Sequence, residues 1–232
     1  MVELRPSRSL AWPAWLAFVA VLLLPRAASA QLHWDASVQV GAMKRFLVER
    51  PQGGEDAGFG PVAQLTAHVA LLPLVHAGVY AAHDISPLAG PAAARNITSG
   101  GIRGKMAIPL RGNLRAWGFL GFGFAGVYSQ SYDLRAFPVQ SGSGTVPRDA
   151  HVEGAGGHFF EVPFGIGASY KLRKPWELCA ELGARVGFAH AGSVYEDPGP
   201  QLKIAGFPDN NVLPAGLDRF AVGLTVGVML DL

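Results

Sequence analysis

The sequence predicts an all-β fold, namely an eight-stranded antiparallel up-and-down transmembrane β-barrel. Three observations support this prediction. Apolar residues alternate with small or polar residues along several segments, short and long connections alternate between those segments, and the less apolar positions carry mainly glycine, alanine, serine and threonine. A repeat of two residues is typical of a β-strand. With 50% hydrophobic and 16% charged residues, the chain is also too apolar to be disordered.

The first thirty residues have the layout of a secretory signal peptide. A basic start is followed by an apolar stretch from Leu10 to Leu24 and by small residues that end at Ala30. We therefore expect residues 1–30 to be a cleaved signal peptide and residues 31–232 to form the barrel domain. A retained anchor helix is the alternative, but about 15 apolar residues are few for a helix that spans a bilayer.

Charge and cysteine content exclude several classes of protein. Residues 1–30 contain three of the 19 basic residues and one of the 17 acidic ones, so 16 of each sign remain in the expected barrel domain. A neutral domain without a basic run offers no electrostatic footprint for nucleic acid. The single cysteine, Cys179, excludes an internal disulfide and lies far from the signal junction, so we expect a structural thiol and no lipoprotein anchor.

Eight segments are predicted as strands. The alternation is clearest in Phe160–Leu172, Trp176–Phe188 and Phe220–Leu232. Weaker alternation predicts strands at about 34–40, 63–71, 75–85, 102–110 and 114–128. In the last of these, Trp117 and Phe119 share one parity, while other large apolar residues take the opposite parity. A bulge and an aromatic-filled lumen would each explain that conflict.

The connections between the predicted strands alternate in length. Short connections occur at Leu72-Pro73, Arg111–Asn113 and Arg173–Pro175, and long ones at 48–60, 86–100, 130–157 and 190–215. Short turns therefore lie at one end of the barrel and long loops at the other, as in outer-membrane barrels with short periplasmic turns and longer external loops. Pro163 interrupts a predicted strand, and because proline cannot donate a ladder hydrogen bond, we expect a bulge there.

The less apolar parity distinguishes a membrane barrel from a soluble, lipocalin-like one. A soluble barrel would carry many charged residues on its water-facing surface, whereas this parity carries small residues that suit a narrow lumen. The strongly apolar parity then faces lipid. Aromatic residues at the strand ends fit the two interfacial girdles of such a barrel. They are Trp34, Tyr170 and Trp176 at the periplasmic side and Tyr128, Phe188 and Phe220 at the outer side.

In these features the chain resembles the small OmpA/OmpX-type outer-membrane β-barrel proteins over most of residues 31–232. The likeness is carried by the signal peptide, the Glu161–Gly165 strand, the Tyr170–Trp176 hairpin and the alternating C-terminal strand. The resemblance implies a location in the bacterial outer membrane. It also implies outer-membrane lipid and the barrel-assembly machinery as partners, no nucleic acid, and a monomer.

The candidate site is a network of charged residues in the lumen. Its predicted members are Arg103, Lys105, Arg115, Glu161, Lys171, Glu177, Glu181 and Arg185. Counting from the hairpin turn places Lys171 opposite Glu177. Because an eight-stranded barrel is only wide enough for its own side chains, these charges should pair and plug the lumen. An ion or small-solute path is the alternative.

Two pairs of residues, each containing a histidine, are considered as a metal site and as a catalytic site. His68 and His76 flank a turn and could face each other as metal ligands, but no third ligand has suitable spacing. Some small outer-membrane barrels are lipid A deacylases with a His and a Ser two residues apart, whereas His190 and Ser193 are three apart and fall on opposite faces of a strand. We therefore expect no catalytic residue, no metal and no cofactor.

The resulting expectation is a non-enzymatic outer-membrane barrel with a structural or surface-interaction role. The first alternative is a transporter or channel for small solutes or hydrophobic molecules. The second is a lipid A-modifying enzyme.

Overall fold

The protein was analysed as a computed structural model, which describes residues 33–48, 57–87, 94–110, 112–130, 132–141, 144–152, 154–194 and 216–232. The expected signal peptide lies outside these residues. Among the described residues, no helix is long and apolar enough to cross a membrane. The strands are β1 (Trp34–Leu47), β2 (Phe59–Leu72), β3 (Val75–Ser86), β4 (Arg95–Pro109), β5 (Leu114–Ser129), β6 (Tyr132–Ser141), β7 (Gly144–Val152), β8 (Gly156–Arg173), β9 (Trp176–Gly192) and β10 (Asp218–Asp231).

Eight of these strands form a closed antiparallel barrel in the order β1-β10-β9-β8-β5-β4-β3-β2. β1 and β10 close the barrel, and Trp34 and Leu232 exchange two backbone hydrogen bonds of 2.9 Å at the end of that seam. This arrangement confirms the predicted fold class. Closure leaves no sheet edge with unpaired backbone groups, so the barrel wall can lie in the hydrocarbon region of a membrane.

β6 and β7 form a separate two-stranded sheet in the connection between β5 and β8. The sequence predicted a loop at 130–157, and that prediction was wrong for these two strands. Both strands are short, and Pro138 pairs with Pro147. The segment therefore lacks the long regular alternation that marks the barrel strands.

Most barrel strands extend further toward the long-loop end than their patterns predict, and β1 and β4 do so by the most residues. β1 continues to Leu47 and β4 begins at Arg95, inside the loop predicted at 86–100. The outward residues at the start of β4 include Asn96 and Thr98, whose side chains are polar. The apolar alternation is therefore missing, although the strand pairing continues on both sides of β4.

β5 fills the lumen with aromatic side chains. Trp117 is 4% exposed and lies inside the barrel, whereas Leu120 and Phe122 are exposed outside. The β4–β5 register runs without a shift from Arg95 to Pro109, which excludes a bulge as the cause of the mixed parity. Glycines make room for the rings, since a Cβ at Gly167 would overlap the Trp117 ring.

Pro163 lies in β8 without a register shift, so the predicted bulge is wrong. Leu120 pairs with Phe164 and Gly123 pairs with Glu161 in one continuous register, and only the two positions between them are unpaired. The missing N–H of the proline thus interrupts the ladder locally. Gly121 faces the proline, and a Cβ there would come within 3.0 Å of the Pro163 ring.

The barrel is apolar outside and polar inside. Outward residues such as Val38, Ile102 and Ile166 are each more than 60% exposed, whereas most buried side chains within the wall are polar or charged. An apolar cluster covers the lumen near the long-loop end. It consists of Ile97, Ala125, Val127, Phe159, Val194 and Leu217. This inverted distribution is typical of a transmembrane barrel.

Candidate functional site

The lumen at the short-turn end is occupied by an ion-pair group around Asp231. Arg115 Nη2 lies 2.5 Å from Asp231 Oδ2, and Lys171 Nζ lies 3.5 Å from the same oxygen. His33 Nε2 lies 2.7 Å from Asp231 Oδ1. The register pairs Lys171 with Glu177, the relationship obtained by counting from the turn, and their charged atoms are 3.8 Å apart. This group joins β5, β8, β9 and β10 across the periplasmic-type end.

Asp35 lies at the next level and contacts three side chains from other strands. Lys105 Nζ is 2.8 Å from Asp35 Oδ2, His68 Nδ1 is 3.0 Å from Oδ1, and His76 Nδ1 is 3.3 Å from Oδ2. Lys105 also lies over the Trp117 ring at 4.9 Å. The two histidines thus surround a carboxylate that already pairs with a lysine. Within the described ranges, no group of three or more potential ligands has a geometry for metal binding.

Glu181 is the centre of the middle level. Arg103 donates to both carboxylate oxygens, at 2.5 and 3.0 Å. Gln64 Nε2 and Trp117 Nε1 each donate to the same carboxylate at 3.0 Å. The Arg103 guanidinium also lies 3.7 Å from the centre of the Phe119 ring. The carboxylate is therefore compensated by charge and by four hydrogen bonds.

Glu161 and Arg185 form the next pair toward the long-loop end. Arg185 Nη1 donates to Glu161 Oε1 at 2.8 Å and to Ser99 Oγ at 2.6 Å, and the Tyr80 hydroxyl donates to Glu161 Oε1 at 2.7 Å. Arg185 Nη2 donates to Gln64 Oε1 at 3.1 Å. Gln64 thereby links this pair to the Glu181 level.

Two arginines and two aspartates close the lumen at the long-loop end, and we call these four residues the outer cluster. Arg45 makes a bidentate contact with Asp84, at 2.8 and 2.6 Å, and its Nη1 donates to Asp218 at 2.8 Å. Arg95 Nη1 donates to Asp218 Oδ1 at 2.9 Å and to the Gly216 carbonyl at 2.6 Å. All four side chains are almost completely buried.

The charges of the lumen balance. Among the described residues, seven basic and seven acidic side chains point inward, and each acidic group lies within 3.5 Å of a lysine or arginine. The basic residues are Arg45, Arg95, Arg103, Lys105, Arg115, Lys171 and Arg185, and the acidic residues are Asp35, Asp84, Glu161, Glu177, Glu181, Asp218 and Asp231. Burial without such pairing would be costly, since an isolated charge loses its hydration.

All eight residues of the candidate network lie in the lumen. Arg115 and Lys171 remain partly exposed at the short-turn end, and the other six are buried. The outer cluster, Asp35 and Asp231 were not among the residues predicted from the sequence. For Arg45 a signal was present, because it continues the inward parity of Asp35, Ser37 and Gln39 along β1. Arg95 fell in the loop predicted at 86–100, and Asp218 lies between the loop predicted at 190–215 and the strand predicted from Phe220, so their parity was not considered.

His190 is engaged with the barrel backbone. Its Nε2 donates to the Asp218 carbonyl oxygen at 2.8 Å, and its ring packs on Phe159 with centroids 5.5 Å apart. These contacts give the histidine a structural role at the long-loop end.

A cavity of about 20 Å³ lies between the Glu181 and Glu161 levels. Gln64, Tyr80, Arg103 and Arg185 contribute to its lining. Such a volume holds roughly one water molecule. It is too small for a solute, and ion pairs lie on both sides of it along the barrel axis.

Comparison with known proteins supports the fold. No protein-family model matches the sequence, and no curated protein matches it. Among solved structures, Neisserial surface protein A is similar over 86% of this chain and 97% of that chain, with 10% identity and a TM-score of 0.50. A major outer membrane protein from Thermus thermophilus is similar over 85% of this chain and 99% of that chain, with 12% identity and a TM-score of 0.46. The first likeness shows that both chains share the small outer-membrane barrel fold.

Proposed function

We propose that this chain is an integral, non-enzymatic protein of the bacterial outer membrane with a closed lumen and a structural or surface-interaction role. Residues 1–30 would be its cleaved export signal. The observation that carries the proposal is the balanced set of ion pairs across the lumen, enclosed by a wall whose outer surface is apolar.

The ion pairs cross-link the barrel, because they join strands on distant parts of the wall. Arg103 on β4 pairs with Glu181 on β9, Asp35 on β1 pairs with Lys105 on β4, and Arg115 on β5 pairs with Asp231 on β10. In each case the two strands are three positions apart around the barrel. An eight-stranded barrel has room for its own side chains only, and these pairs occupy that room at successive levels. This arrangement supports a lumen without a permanent pore.

The long connections would then carry the external contacts of the protein. They leave one end of the barrel, and one of them contains the β6–β7 sheet. Loops on a rigid scaffold commonly carry recognition in proteins. A closed scaffold with elaborated loops favours surface contact or envelope structure over solute transport.

Membrane fractionation, heat-dependent gel mobility and planar-bilayer recording test this proposal together. We expect the chain in the outer-membrane fraction, a folded species that changes mobility only after boiling, and no stable conductance level. Recovery of the mature chain as a soluble monomer without detergent would overturn the proposal. A reproducible open level would instead favour the transport alternative.

The mass of lipid A tests the enzymatic alternative. Lipid A from cells that overproduce the protein should have the same mass spectrum as lipid A from cells with an empty vector. A new species in the overproducing cells, absent when His190 is replaced by Ala, would contradict the non-enzymatic role.

A further inference from the structure

Lys44 faces outward from a wall that is otherwise almost free of charge. On β1 it shares the parity of Val38, Val40 and Ala42, all of which are exposed on the apolar outer surface. The inward residue beside it, Arg45, belongs to the outer cluster. Within the part of the chain that the structure describes, Lys44 has no carboxylate at ion-pair distance. A cation on the lipid side of a barrel therefore requires a partner or water outside the protein.

The height of Lys44 places it at the outer edge of the apolar band. It lies ten residues beyond Trp34, which marks the short-turn end of β1. At about 3.4 Å per residue and a strand tilt of about 40°, this corresponds to roughly 26 Å along the barrel axis. Since the apolar band of such barrels is about 25 Å tall, the ammonium group reaches the level of the external headgroups.

Two aromatic rings hold the Lys44 side chain. Its Nζ lies 5.7 Å from the centre of the Phe46 ring and 5.5 Å from that of Phe59. Phe46 also packs against Phe220 on β10, with centroids 5.8 Å apart, and Phe59 is 67% exposed. The rings restrict the lysine. Phe59 is paired with Lys44 and lies at its level, whereas Phe46 lies two residues further toward the long-loop end. Toward the short-turn end, exposed aliphatic residues of β1 such as Val40 extend an apolar surface below the lysine. A ligand that combines an anionic group with hydrocarbon chains would match both parts.

Arg219 adds a second cation on the same side of the barrel. The β1–β10 register pairs Phe46 with Phe220 and Leu47 with Asp218, so the intervening Arg219 has no partner on β1. This irregularity turns Asp218 inward to the outer cluster, while Arg219 remains exposed. Among the described residues, Arg219 has no carboxylate at ion-pair distance. Two cations thus flank the Phe46–Phe220 contact.

From this arrangement we infer that Lys44 and Arg219, with Phe46, Phe59 and Phe220, form a binding site for a phosphorylated lipid of the outer leaflet. The cations bind the headgroup phosphate, and Phe46 and Phe220 lie between the levels of the two cations. Phe59 and the exposed aliphatic residues below Lys44 pack against the first part of the acyl chains. The inference deepens the proposed function and rests on it, because the site requires the barrel to span the outer membrane. The proposed ligand is the phosphate of a lipid rather than free phosphate, because an inorganic ion would make no contact with the apolar part of the site.

Native mass spectrometry of the purified folded protein in neutral detergent tests the inference. The probes are diphosphoryl lipid A, the same lipid after removal of its phosphates, and excess inorganic phosphate. Wild-type protein should retain the phosphorylated lipid in preference to the dephosphorylated one, and inorganic phosphate should compete weakly. The Lys44→Gln/Arg219→Gln variant should bind the phosphorylated lipid about tenfold more weakly, because two charge-assisted contacts are lost.

The matched control is Arg173→Gln/Lys174→Gln, which removes two exposed cations from the short-turn end. It should bind as the wild type does, and Lys44→Arg should retain binding. Two results would overturn the inference: equal retention of the two lipids by the wild type, or wild-type affinity in the Lys44→Gln/Arg219→Gln variant. Either result would mean that Lys44 is hydrated and does not bind a lipid phosphate. Outer-membrane recovery and gel mobility of the variants separate this failure from failure of the proposed function.

Discussion

Arg45 and Asp84 make a bidentate ion pair across the lumen, at 2.8 and 2.6 Å, with both side chains almost fully buried. The pair joins β1 to β3, and Asp218 from β10 shares the same arginine. The outer cluster therefore fastens the long-loop end of the barrel, next to the seam between its first and last strands.

Removal of Arg45 should be strongly destabilising. Arg45→Ala leaves Asp84 without its basic partner and weakens the compensation of Asp218, at a cost of about 3 to 5 kcal/mol. Urea titration in vesicles of neutral phospholipid, followed by the gel mobility of folded and unfolded protein, measures the change. The control is Lys44→Ala, which removes an adjacent cation from the opposite face of β1 and should change the free energy of unfolding by less than about 1 kcal/mol. Equal effects of the two substitutions would contradict the structural role of the outer cluster.

Replacement of Tyr80 by Phe removes a hydroxyl that donates to the buried Glu161 at 2.7 Å. We expect a loss of about 1 to 3 kcal/mol, because the carboxylate keeps Arg185 but loses one donor. Tyr128→Phe is the matched control, since Tyr128 is exposed on the outer surface. The same urea titration compares the two variants, and a Tyr80→Phe protein as stable as the control would show that the hydroxyl contributes little.

A methyl group at Gly167 should overpack the lumen. Its Cβ would overlap the Trp117 ring, and that ring also donates to Glu181 at 3.0 Å. Displacing the ring should cost about 1 to 3 kcal/mol. The tryptophan fluorescence of the folded protein should change as well. At Gly126 a Cβ would meet no atom within 4 Å, so Gly126→Ala serves as the control and should leave both measurements unchanged.

An arginine at Val226 tests which surface faces lipid. Val226 is 52% exposed, and its β1 partner Val40 is 59% exposed. In a bilayer, Val226→Arg should destabilise the barrel by about 2 to 4 kcal/mol near the midplane. Val226→Ala, which adds no charge, should have a much smaller effect. If the arginine variant were as stable in vesicles as the alanine variant, this face would not meet hydrocarbon.

The sequence alone determined the number of barrel strands and, in the strands whose alternation is clear, which side chains point in or out. Both follow from local periodicity, since a strand alternates its side chains whatever its partners are. The same rule explains why β8, β9 and β10 were the clearest strands, and why β4 was predicted to begin too late. At Asn96 and Thr98 the lipid-facing positions are polar, and a pattern of apolar residues disappears there.

Only the tertiary structure decided which charges meet. Arg103 and Glu181 are 78 residues apart in the chain, and Arg45 and Asp218 are 173 apart. Their pairing depends on the stagger of the strands around the closed wall, which no local pattern encodes. The aromatic filling by Trp117 was likewise decided by Gly167 on the neighbouring strand β8, which the residue pattern of β5 by itself does not encode. Periodicity is a property of one strand, whereas a lumen is formed by all eight at once.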